Sequence, residues 1–455
     1  MPIIRLPITL SLLLAAVVSM RAEAPPVAGT LPEDFLPGLK PILMNALERS
    51  PTMITASLNT AQAEANRYQL AAALWPSLSA YSYYQETKES ISQGQASTAK
   101  GLLYGANLNQ PVFQWGAYKN QAQIARLAVT ISERHFADTY RTLATTVREQ
   151  YIGLIQKKVL LRNARFQQHI AEKALATQKA RFEAGSVSEA EVQGFSMNAE
   201  DAKLAADRSE EDLRYSERVF MRLVGLDDLN DALIPSEIPH PEYNTALADA
   251  VLTGFVGQGV ESTFQSEVYR LTLEQAKKNI AITKVRLLPK LALSAAYNYS
   301  NQTSVSATSI SQVGVRSESV ELAANWTIFD GFAARGARLS AMASRRETEL
   351  EKQSYVDSTL DSITYMRHQV GFAQRSMAMA EVHNALIDSQ MERFRQDKDL
   401  GYASEATIDA GTVNLNATQF NMYQARGTYL SNWTDFISLA GIDPAVDNVP
   451  SRYVR

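Results

Sequence analysis

Glu189 and Glu191 follow Gly185, and Glu405 and Asp409 follow Gly401, each pair a short step past a glycine. Glycine permits a sharp chain reversal with positive φ. Ser188 and Ser404 stand where a hydroxyl can cap a returning helix. Carboxylates held at such a turn and repeated around a symmetry axis would repel anions and draw cations. Acidic residues in a first helical turn also favour the helix dipole without any further role, and the sequence leaves both readings open. Asp409 is the stronger candidate to face a pore, because its counterpart in the first half of the chain is the neutral Gln193.

Other reactive constellations are missing. With no cysteine there is no thiolate metal site, disulfide or thiol nucleophile. His135, His169, His240, His368 and His383 never fall at the spacing of a helical metal pair. Met377 and Met379 are too few for a path of soft copper ligands. Gly254, Gly257 and Gly259 stand in the wrong order for a dinucleotide loop, and there is no P-loop or G-x-S-x-G. The run Glu210-Glu211-Asp212 reads as a solvated helix face. No enzyme and no cofactor is expected. Lys and Arg number 44 against 48 Asp and Glu, a net charge of −4, so no basic field invites nucleic acid.

The elements that carry these turns must be long. Proline is absent from 112 to 234 and from 290 to 443, which permits uninterrupted helices. Residues 1–24 read as an export signal: Arg5, an apolar run from Ile8 to Val18, and Ala22-Glu23-Ala24 as the cleavage site. The remainder contains two copies of one pattern, 25–245 and 246–445, with a tail at 446–455. Leu58, Gln62, Ala63, Asn66, Pro76 and Tyr84 reappear as Leu271, Gln275, Ala276, Asn279, Pro289 and Tyr297. Gly185, Ser188, Glu189, Phe220 and Gly225 reappear as Gly401, Ser404, Glu405, Phe436 and Gly441. Each copy reads as a helix (52–74; 262–287), two strands around a polar loop (89–100; 301–312), a long helix (117–182; 333–396) and a second helix (188–224; 404–440).

The strands of the second copy alternate cleanly. Leu291, Leu293 and Tyr297 share one parity in 290–300, and Val320, Leu322, Trp326 and Ile328 share one in 319–328, each opposite polar neighbours. That pattern suits either a lipid-facing barrel strand or a half-buried soluble strand. Four strands cannot close a membrane barrel, and an open edge would leave unpaired backbone groups in lipid. Barrel strands would therefore have to be shared between chains, and three chains would supply twelve.

The chain resembles the TolC-type outer-membrane factors. The resemblance rests on the strand starts Pro76-Ser77-Leu78 and Pro289-Lys290-Leu291 and on the exits Val112-Phe113-Gln114-Trp115-Gly116 and Trp326 to Gly331. It rests equally on the turn Arg181-Phe182-Glu183-Ala184-Gly185 with Ser188 and Glu189, echoed at Gly401, Ser404 and Glu405. It implies a mainly α fold with a small β part: a homotrimer with a twelve-stranded outer-membrane barrel and a periplasmic α-barrel. It implies hairpin tips that form the entrance and dock a periplasmic adaptor, an inner-membrane transporter behind them, and passive export as the function. The family's entrance carboxylates fall here on Thr407 and Ala410, with Asp409 one place off. A periplasmic coiled-coil protein with a soluble sheet is the alternative.

Overall fold

The computed structural model describes residues 29–89, 97–306 and 309–446. The signal segment and nearly all of the tail lie outside those residues. Two short helices, α1 (Pro32–Phe35) and α2 (Leu39–Arg49), lead into α3 (Pro51–Ala71) and the antiparallel strands β1 (Ser77–Glu89) and β2 (Ser97–Phe113). Helices α4 (Ala117–Glu183) and α5 (Glu189–Val224) form the first hairpin. The second copy starts with α6 (Thr245–Gln258) and α7 (Phe264–Lys284). It continues through β3 (Lys290–Val305), β4 (Ile310–Asn325), α8 (Ala333–Asp399) and α9 (Glu405–Ala440).

At 1.5 Å per residue, the 67 residues of α4 and of α8 make rods about 100 Å long. Their buried positions show how such a rod stays in one wall. On α4 they recur eleven residues apart, as Phe136 and Val147, Tyr140 and Tyr151, Leu143 and Leu154, and Ala144 and Ile155. That spacing is 3.67 residues per turn, close to the natural helix, so the seam scarcely winds around the rod. α4 packs on α3 and α7 along one half and on α5 and α9 along the other, while α8 packs on α7 and α9. The lateral order is thus copy one then copy two at every height, with α3 and α5 at one open side and α8 at the other.

Midway along the rods a belt of short elements covers one face. It comprises α1, α2, α6 and the 3-10 turns Asp231–Leu233, Val260–Ser262 and Pro444–Val446. Here lies the main core, with Leu36, Leu39, Tyr151, Ile155, Phe220, Ile238, Trp433 and Phe436 all buried. Its one buried cation is Arg148, among the described residues, and its side chain is fully enclosed. The guanidinium donates to Glu33 at 2.6 and 2.8 Å and to Asp443 at 2.5 and 3.0 Å. Burial alone would lower its pKa, but the hydrogen bonds to Asp443 and Glu33 and their charges raise it. One side chain thereby ties both ends of the described chain to the middle of α4.

The sheet order is β1-β2-β3-β4, antiparallel throughout. Its strands run well into the polar stretches 89–100 and 301–312 expected as loops: β2 begins at Ser97, β3 ends at Val305 and β4 begins at Ile310. Pairing there is by backbone with a few polar cross-strand contacts such as Gln312 with Asn301 and Lys100 with Glu86, and with both faces mostly polar the alternation that marks a strand in sequence vanishes. At the other end the expectation overshot. β4 stops at Asn325, so Trp326 and Ile328 belong to the exit segment, not to the strand. The Trp326 indole N–H donates to Leu287 O at 3.0 Å, and that of Trp115 donates to Pro289 O at 2.6 Å. Each exit then turns through two successive left-handed residues, Trp115-Gly116 and Gly331-Phe332. The two bulky ones are held there against an intrinsic preference worth about 1 kcal/mol or more.

Candidate functional site

Three regions carry the candidate chemistry: the hairpin tips, the wall opposite the belt, and the sheet. At the first tip Gly185 has φ +71°, and Ser188 caps α5 by accepting from Glu191 N at 3.3 Å. Glu191 returns the bond to Ser188 N at 3.4 Å, so its carboxylate completes a capping box. Glu189 lies beside it in the same first turn. At the second tip Gly401 has φ +81° and Ser404 accepts from Thr407 N at 3.2 Å. Thr407 stands where copy one has Glu191, so Glu405 and Asp409 are not used in capping.

Both are used across the hairpins. Lys173 on α4 donates to Asp409 at 3.1 Å and to Glu405. Those hydrogen bonds, Glu405 first, raise the Lys173 pKa, and the bond from Lys173 lowers that of Glu405. Asp409 is the better covered of the two acids, its side chain 23% exposed against 62% for Glu405. The structure therefore brings Glu405 and Asp409 together on one lysine and leaves Glu189 and Glu191 on the other turn. Lys173 carried no local signal: it lies in mid-helix, and its partners are more than two hundred residues away.

A second pairing was also illegible. Glu149 on α4 and Asp435 on α9 hydrogen-bond side chain to side chain. Burial raises both pKa values, and the Asp435 charge raises that of Glu149 further. Two adjacent carboxyls disfavour the doubly charged state. The charges at this level are otherwise engaged. Arg141 donates to Asp138 and Ser438, Arg148 is held as above, Arg222 donates to Arg218 O, and Arg367 is on Asp249. His368, next to the Gln369 whose carbonyl accepts from Asn432, is exposed. A carboxyl whose folded pKa is raised gives stability at low pH that is lost as pH rises through that value. Glu149→Gln should therefore melt above the parent protein at pH 8 and lose that advantage at pH 5, read by circular dichroism on heating.

On the sheet, directly paired residues share a face. One face collects Leu291, Leu293, Ala295, Tyr297 and Tyr299 with Leu322 and Val320, then Leu108, Ala106 and Tyr104, then Leu78 and Ala80. The other collects Ser294, Asn298, Ser300, Glu321, Ser319, Asn107 and Ser79. From Leu291 to Tyr299 the apolar face measures about 26 Å along the strand, the scale of a barrel's lipid band. On β4 that face turns charged within the same span, with Glu318 beside Tyr297 and Arg316 beside Tyr299, and past the span comes Lys100 with Glu86. Before it, Trp75, Trp115, Trp326 and Phe329 are exposed. Neither face is packed: β1 is exposed throughout and β4 at all but one residue.

Among the described residues no three His or acidic side chains gather as a metal would need, and no helix is long and apolar enough to cross a membrane.

The structure is similar to outer-membrane channels of known structure. The CmeC outer membrane channel of Campylobacter jejuni matches with a TM-score of 0.66 at 15% identity, over 92% of this chain and 89% of that one. The outer-membrane channel OprN gives 0.66 at 15%, over 97% and 98%. The outer membrane protein VceC of Vibrio cholerae gives 0.63 at 16%, over 91% and 100%. No curated protein sequence matches. The family model described as outer membrane efflux protein matches twice, over residues 42–225 and 267–441, one match to each copy of the repeat. With nearly the whole of both repeats covered, the chain belongs to the outer membrane efflux protein family, whose members are outer-membrane channels extending into the periplasm and not enzymes.

Proposed function

We propose that three copies of this chain form a passive exit duct that crosses the outer membrane as one shared twelve-stranded barrel and the periplasm as an α-barrel. The observation that carries this is the sheet. A soluble half-buried sheet needs one face covered, and among the described residues both are bare and both edges, β1 and β4, are unpaired. Joining β4 of one copy to β1 of the next removes every edge, as lipid demands. In that arrangement Leu291, Leu293, Tyr297, Val320 and Leu322 face lipid, and the serine and asparagine face lines the lumen.

The helices support the same closure, because their open sides fall in the same order. Along α8, Tyr365, Phe372, Met379 and Leu386 repeat every seven residues and are all more than half exposed. That is the seam a neighbouring helix would fill. Residues 1–24 would direct export. The tips around Gly185 and Gly401 would be the entrance and the docking surface for a periplasmic adaptor, behind which an inner-membrane transporter supplies cargo and energy.

The tips offer a test in planar bilayers. Asp409→Ala is expected to relieve block by millimolar divalent cations several-fold, with Glu405→Ala changing it little. Lys173→Ala, which frees both carboxylates, should strengthen the block. Relief by Glu405→Ala alone would move the charged ring to that residue. No change in any variant would leave the acidic tips as partners of the helix dipole only.

A further inference from the structure

The wall opposite the belt holds a buried acceptor with no partner. Asn163 on α4 is 9% exposed, and its Nδ2 donates to Asn416 O on α9 at 3.0 Å. A carbonyl can only accept, so this bond fixes which way the amide points. Its Oδ1 is left buried without a hydrogen bond. Such a group has given up its hydration without compensation, unless something else occupies the space beside it.

That space is a groove of about 240 Å³ between α4 and α9. Leu160, Phe166, Val413 and Phe420 supply apolar walls, and Gln167 and Asn421 supply amides. Among the described residues no charged side chain lines it. On α4 the groove residues Leu160, Ala164 and Gln167 lie roughly 180° around the helix from Tyr151, Ile155 and Lys158. Those three face the belt: Tyr151 donates to Leu233 O, and Lys158 donates to Ile234 O at 2.8 Å. Both groove helices belong to one chain, so each copy would carry a complete groove.

We infer that this groove is a resting site on the duct wall for uncharged, ring-bearing small molecules that carry an N–H or O–H donor for Asn163 Oδ1. The chemistry follows from the lining. Aromatic and aliphatic walls favour a ring, the bare acceptor selects a donor, and the absence of charge disfavours ions. Its placement in the lumen rests on the duct proposed above, since three belts on the inner side would fill the bore.

Chloramphenicol is a suitable probe, being uncharged with one ring system, an amide N–H and two hydroxyls. Equilibrium dialysis against the full-length trimer in amphipol should give saturable binding, at most three molecules per trimer. Asn163→Leu removes the acceptor and should weaken binding about tenfold. Ala417→Leu fills the groove from an exposed position, leaves the Asn163–Asn416 bond intact, and should weaken it comparably. Linear uptake that is identical in all three proteins would overturn the groove. The same probe, added from the extracellular side of a planar bilayer, should interrupt the parent current for longer than that of either variant. A protein that conducts with equal interruptions in all three also overturns the site. One that does not conduct, while dialysis still separates the variants, overturns the duct and its lumen and leaves the groove.

Discussion

Arg148→Met should cost about 3–5 kcal/mol of folding stability, the range for removing one partner from a buried ion pair. The loss comes less from the missing attraction than from what stays behind, because Asp443 is fully enclosed and Glu33 nearly so. Both would keep charges with no cation in reach. Adding Glu33→Gln and Asp443→Asn to the same chain should restore most of the stability. The amides stay polar without the charge, and the one introduced by Asp443→Asn can still accept from the Ala445 N–H. Urea denaturation followed by circular dichroism reads both changes. If Arg148→Met alone unfolds with the parent midpoint and slope, the triad is ornamental and the belt is held by its apolar core.

Val320→Arg should be nearly as damaging, for a different reason. Val320 pairs with Ala295 midway between the Leu291 and Tyr299 levels of the apolar face and is 78% exposed in the isolated chain. In a lipid-facing barrel wall a cation at the bilayer midplane costs about 2–4 kcal/mol, and a trimer would carry three. Ser319→Arg, one residue away on the opposite face, should be tolerated and should shift the current toward anions. The yield of heat-resistant trimer in purified outer membranes separates the two. Equal tolerance of both substitutions would mean that neither face meets lipid.

Long-range architecture was legible here because it is written in local terms. Proline-free runs, a glycine-serine turn at each tip and glycines Gly225 and Gly441 at the helix ends place α4, α5, α8 and α9 almost to the residue. The repeat doubled each signal. Strand ends were harder. Ser97 to Gly101 and Asn301 to Val305 pair through backbone and polar side chains, and neither has an apolar face set against a polar one. Trp326 and Ile328 continued the alternation past the point where the chain leaves the sheet.

The charged contacts were illegible for a different reason. Lys173 with Asp409, Glu149 with Asp435, and Arg148 with Glu33 and Asp443 each join residues more than a hundred positions apart. No spacing rule reaches that far. Only the folded array brings them together, by laying copy two beside copy one or, for Glu33, by wrapping the belt onto α4. Glu191 shows the converse: its capping box with Ser188 is local, yet in the sequence only the Ser188 cap stood out and Glu191 counted among the entrance carboxylates.

The mass of the particle extracted from outer membranes by mild detergent tests the central claim most directly. Native mass spectrometry should give three processed chains in one complex, with no folded monomer, because the sheet of one chain leaves both edges open. A stable, folded single chain in that fraction would contradict a shared barrel.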